Sequence, residues 1–133
     1  MSEVVNIDSA TAEIDKWLDH KRINEKKRED QKSTIDSLID AVRFGMLTVD
    51  EDFNLVQKLY FPIGNNQEVE ELKYKPRIGV GTVHRHLKGL KADDADGRLA
   101  AYVAALTNST KAQIAALDTE DYGVGQSIAI FFL

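Results

Sequence analysis

Ile14, Trp17 and Leu18 stand at i, i+3 and i+4 and form one short apolar face, the spacing that brings side chains to one side of a helix. Asp8 or Ser9 is placed to cap its start by accepting bonds from backbone N–H groups that the first turn leaves free. From Asp19 to Lys32 the apolar face all but vanishes: DHKRINEKKREDQK holds one strong apolar residue, Ile23, among alternating charges. Such a pattern predicts a solvated helix supported by weak pairs three and four residues apart. Residues 1–32 together therefore read as a charged helical N-terminal arm. Ser33 opens a stronger helix, with Asp36 in its first turn, Ile35, Leu38, Ile39 and Val42 in register, and Gly45 as its stop.

The period then changes to two. Met46–Val49 is a short strand candidate, Asp50-Glu51-Asp52 is turn material, and FNLVQKLYFPI places Phe53, Leu55, Gln57, Leu59 and Phe61 on one face. Pro62 lacks an N–H and limits that strand to its end or to an edge. Gly64-Asn65-Asn66 turns the chain into a further alternating stretch, Val69–Tyr74, which Pro76 ends. A hairpin or three-stranded meander is expected. Helical spacing returns at Val80, Val83, Leu87 and Leu90. RLAAYVAAL is apolar nearly all round, as a buried helix is. Asn108-Ser109-Thr110 begins another helix, and Asp118 or Thr119 caps the last, where Val124, Ile128 and Phe131 make a stripe that Gly123 and Gly125 weaken. The fold class expected is α+β: N-terminal helices, a small antiparallel sheet, and a C-terminal helical cluster packed on one side of it. Residues 33–133 form one domain in this reading, without repeat or linker.

Composition narrows the function classes. At 133 residues with 43% hydrophobic and 29% charged, the chain is one ordinary globular domain that can bury about two-thirds of its unfolded surface. The absence of cysteine excludes a disulfide framework, thiolate zinc ligands and a thiol nucleophile. A net charge of −5, from 17 basic and 22 acidic residues, argues against general nucleic-acid binding, which needs a basic face. MSEVVNIDSATAEI has neither a basic nor an apolar leader region, and no run reaches membrane-span length. These features point to a soluble cytoplasmic domain.

Candidate chemistry is sparse. His84 and His86 flank Arg85, but residues two apart on a helix point in nearly opposite directions and cannot share an ion; they read as surface histidines. Gly79-Val80-Gly81 precedes a helix but lacks a third glycine or a Gly-Lys-Ser/Thr, and a hairpin, not a parallel βαβ unit, leads into it. It reads as a loop. The acidic residues lie in runs typical of solvated turns, and no serine is paired with a histidine by motif. The basic cluster Lys21-Arg22 with Lys26-Lys27-Arg28 is interrupted by Glu25, Glu29 and Asp30, without an aromatic for stacking. No catalytic, cofactor or metal site is expected. The most unusual feature is the closing IAIFFL, since chain ends are normally polar. A stretch this apolar must be covered by its own core, by another copy or by a partner.

Residues 55–133 hold a hairpin of the form Leu-x-x-Pro-Ile (LYFPIGNNQEVEELKYKPRIGVGTV), which runs into Lys75-Pro76-Arg77-Ile78. An Ala-rich helix (RLAAYVAALTNST), Leu117-Asp118-x-x-Asp121-Tyr122 and a final Phe132-Leu133 follow in order. In this order and spacing the segment resembles the phage tail assembly chaperone family, with Lys75-Pro76-Arg77-Ile78 in place of that family's Arg-Pro-Thr. The resemblance implies a non-enzymatic protein of the infected host's cytoplasm. Such a protein holds the tape measure protein, a long apolar helical chain, soluble until tail tube subunits polymerise around it. A holder of amphipathic helices needs an apolar groove, and apolarity nominates Tyr102, Val103, Ile128, Phe131, Phe132 and Leu133 to line it. Self-association through the hairpin edge or the apolar terminus is a further expectation. The alternative is a structural or adaptor component of a phage tail or related contractile particle, docking through Asp8–Lys32. A small metal-dependent or nucleotide-binding enzyme ranks behind both.

Overall fold

A computed structural model describes residues 2–133. The first helix, α1 (Ile7–His20), begins at Asn6, whose side chain accepts the Ser9 N–H at 2.8 Å. The cap thus precedes both expected positions, Asp8 and Ser9, because Asn6 holds the extended backbone that a cap requires. Ala10, Ile14, Trp17 and Leu18 are all buried. The short apolar face is therefore enough to embed α1 in the core, and Ile7–His20 is not a free arm. The charged part of that stretch is a separate short helix, α2 (Glu25–Asp30), with no buried residue. The chain reaches it by turning at Arg22, whose φ is +58°. Arg28 ties the turn down, donating to the Ile23 carbonyl and to Asp19 at 2.7 Å each. After Gln31, α3 (Lys32–Arg43) buries Leu38, Ile39 and Val42 and carries no side-chain cap. Ser33 does not cap it, since the chain is already helical there. Gly45, at φ +79°, ends the segment in a conformation glycine adopts without penalty.

The sheet is a meander of β1 (Leu47–Val49), β2 (Leu55–Ile63) and β3 (Val69–Tyr74), antiparallel throughout and ordered β1-β2-β3. Leu47, Gln57 and Leu72 align across it, as do Val49, Leu55 and Tyr74. These rows face the helices, while Thr48, Lys58, Glu71 and Lys73 face solvent. Alternation holds through Leu59 and then breaks. A register shift between Lys58 and Ile63 restores Ile63 to the core and leaves Phe61, expected inside, 58% exposed. A bulge of this kind re-aims side chains and frees backbone donors. The Phe53 backbone lies at φ +62°, which lays its ring flat on His20 at 3.9 Å and joins the hairpin loop to the end of α1.

Four helices and a closing turn complete the chain: α4 (Val80–Leu87), α5 (Ala95–Thr107), α6 (Lys111–Ala115), α7 (Thr119–Ala129) and a 3-10 turn, Ile130–Phe132. α5 buries Ala101, Val103, Ala104, Ala105 and Leu106, as its all-round apolarity predicts. α6 starts with a capping box between Thr110 and Gln113, and α7 with Asp118 accepting from Glu120. α1, α3, α5 and α7 pack on the inward face of the sheet, giving the α+β arrangement the hydropathy pattern predicts.

A polar network crosses this core. Gln57, on the inward face of β2, donates its amide to the Asp121 carbonyl at 2.9 Å and accepts the Tyr74 hydroxyl at 2.6 Å. The Asp121 carboxylate, fully buried in the first turn of α7, accepts the N–H groups of Tyr60 and Phe61 at 2.9 and 3.1 Å. Lys58 is the last residue of β2 to bond the β1 side, donating to Met46. Asp121 thus takes over where β1 runs out and satisfies the two donors the bulge releases. Burial, followed by the charge of Asp121, pushes the Tyr74 phenol well above its ordinary range.

Candidate functional site

Two cavities of similar size lie on the helical side. One, of about 500 Å³, sits among α5, α6 and the start of α7. Alanines 100, 101 and 104 line it, and both signs of charge, Asp94 with Lys88 and Lys111, stand at its rim. The other, of about 560 Å³, is a groove walled by α4, α5 and the closing 3-10 turn, with the end of α1 and the segment after Pro76 completing it. His84 lines the groove and His86 the first cavity, as their spacing on α4 dictates.

The groove brings together three of the six residues nominated from apolarity. Tyr102, Phe131 and Phe132 line it, beside Ile78, Val80, Val83 and Leu87. Val103 and Ile128 are wholly buried on the core side of their helices and are corrected from groove residues to packing residues. The Val103 side chain stands against Gly125, where α5 meets α7. Leu133 is 61% exposed and lies outside the groove lining. Phe131, though mostly buried, meets both environments: one side faces the groove and its ring edge abuts Trp17 at 5.8 Å. Phe132 lies against the same indole at 6.3 Å. Trp17, the chain's single tryptophan, is therefore directly behind the groove floor, and its Nε1 has no hydrogen-bond partner among the described residues.

Apolarity alone misses the charges. Lys21, Arg77, Arg98 and His84 line the groove, and no Asp or Glu does. Among the described residues, neither Lys21 nor Arg77 nor Arg98 joins an ion pair. The Lys21 ammonium stands 3.5 Å from the Phe132 ring centroid and donates to the Pro76 carbonyl at 3.3 Å, a cation–π contact reinforced by one hydrogen bond. Burial, then the neighbouring charges of Arg77 and Lys27, lowers its pKa to about 8. The cations come from α1, from the loop after β3 and from α5, so no local motif in the sequence signals them. Val80, an apolar residue on the groove lip, is 71% exposed.

Among the described residues, no three His, Asp or Glu side chains are grouped to hold a metal ion, and no helix is long and apolar enough to cross a membrane. The chain matches no protein-family model, no curated protein and no solved structure.

Proposed function

We propose that this chain is a phage tail assembly chaperone, a binding protein without catalytic role. Its task in this reading is to hold an amphipathic helical segment of the tape measure protein in the cytoplasm of the infected cell until tail tube subunits polymerise. The observation that carries the reading is the groove between α4, α5 and the closing turn. There Tyr102, Phe131 and Phe132, three of the residues that apolarity nominates, form part of one open trough with an aromatic and aliphatic floor. Helix recognition uses surfaces of this kind, with anchors spaced i, i+3, i+4 and i+7 on the partner. The order of hairpin, Ala-rich helix, Leu-Asp-x-x-Asp-Tyr and closing Phe-Leu supports the family assignment. The adaptor alternative depended on Asp8–Lys32 as a docking arm, and with α1 built into the core it retains only the exposed α2.

A tagged copy recovered from infected or induced cells, with purified particles analysed in parallel by mass spectrometry, tests the reading. The expected result is co-recovery of a long helical protein of tape-measure type and absence of this chain from the particles. Stoichiometric presence in the particles would replace the chaperone with the adaptor.

A further inference from the structure

We infer that the groove selects a helix whose apolar stripe is flanked by acidic side chains. The inference rests on the groove being the partner-binding site and adds the chemistry of the partner. The floor is aromatic and aliphatic, which a small anion would not need. The rim carries Lys21, Arg77 and Arg98 without a single carboxylate, on a chain whose net charge is −5. Acidic residues outnumber basic ones, yet among the described residues none forms an ion pair with these three cations. Lys21 is moreover held half-buried among like charges, where solvation is lost and Arg77 repels it. Unpaired cations grouped on an apolar floor are what an incoming Asp- or Glu-flanked helix would neutralise, since complementary potentials set specificity and association rate. A helix flanked by lysines would meet the same apolar floor and be repelled at the rim.

Two synthetic amphipathic helical peptides with identical Leu/Phe stripes, one flanked by glutamates and the other by lysines, are titrated into the full chain. Calorimetry and Trp17 fluorescence serve as readouts, because the indole lies behind Phe131 and Phe132. The glutamate peptide is expected to bind at least about tenfold more tightly, a difference of about 1.4 kcal/mol, and to weaken as salt is raised. Arg77→Glu with Arg98→Glu, both on the rim, should abolish or reverse the preference. Equal binding of the two peptides overturns the charge inference and leaves the groove reading standing. Binding of neither overturns both. Inorganic phosphate reproducing the fluorescence change and displacing the glutamate peptide would assign the cations to a small anion and refute the inference. A salt-sensitive dimer that blocks the peptide would assign the groove to a second copy, with the same consequence.

Discussion

Gly123 and Gly125 both lie inside α7, two residues apart, and should respond oppositely to the same added methyl group. In a helix interior, alanine is favoured over glycine by about 1 kcal/mol. At Gly123 a Cβ would meet nothing within 4 Å, so Gly123→Ala should realise that gain, raising Tm by about 4 °C in a chain of this size. At Gly125 the same atom would stand 2.9 Å from the Tyr74 hydroxyl and 3.3 Å from Val103. Neither neighbour can yield easily. Val103 is fully buried, and the Tyr74 hydroxyl is fixed by its bond to Gln57. Overpacking of a filled core costs about 1–3 kcal/mol, which exceeds the helix gain, so Gly125→Ala should be net destabilising by about 1 kcal/mol. Urea unfolding followed by Trp17 fluorescence measures both. The cycle with Tyr74→Phe isolates the cause: with the hydroxyl gone, the penalty at Gly125 should shrink. Equal stabilisation by both alanines, or a Gly125 penalty unchanged by Tyr74→Phe, would refute the packing argument.

Asp121→Asn keeps the side-chain shape but turns an amide donor toward one of the Tyr60 and Phe61 N–H groups. Leaving that donor unpaired and weakening the other bond should cost about 2–4 kcal/mol in equilibrium unfolding, and a cost near zero would mean that the bulge is satisfied some other way. Lys21 binds its proton less tightly when folded, so between about pH 8 and its ordinary 10.5 the unfolded chain holds a proton the folded chain has lost. Stability then rises with pH across that window. Lys21→Met should remove the rise, and parallel slopes for the two proteins from pH 7 to 10 would contradict it. Phe53→Gly relieves the positive φ while losing the His20 stack, two effects of about 1 kcal/mol each that should nearly cancel. Phe53→Val loses the stack and places a β-branched residue in the left-handed region, so it should unfold at distinctly lower urea, and similar midpoints would count against strain at this position.

Much of the fold is visible in the hydropathy pattern because it is local. The α3 stripe with its Gly45 stop, the meander, the all-round apolar α5 and the Asp118 cap each follow from neighbours within a few positions. The departures come from contacts between residues distant in the chain. α1 is embedded because it packs on α3 and β1 and because Trp17 meets Phe131 and Phe132, partners from later in the sequence. Alternation fails at Phe61 because the bulge is stabilised by Asp121 on α7, and no residue near Phe61 announces it. The candidate site divides in the same way. Apolarity finds Tyr102, Phe131 and Phe132 but cannot separate them from Val103 and Ile128, since core and groove share side-chain chemistry. The cations escape notice because Lys21 sits in a basic cluster and Arg77 beside a Gly-x-Gly, contexts that suggest other uses.

The Asp121 clamp also bears on how this protein avoids sticking to others. A strand that outruns its neighbour exposes backbone donors that can capture an extended foreign chain and seed ordered aggregates. β2 outruns β1 in this way beyond Lys58, with Tyr60 and Phe61 both exposed as side chains. Their N–H groups are nonetheless occupied from within by a buried carboxylate. An extended chain approaching that margin meets the Tyr60 and Phe61 rings but finds both of their N–H donors already bound, which removes two of the contacts by which the hairpin could act as a template.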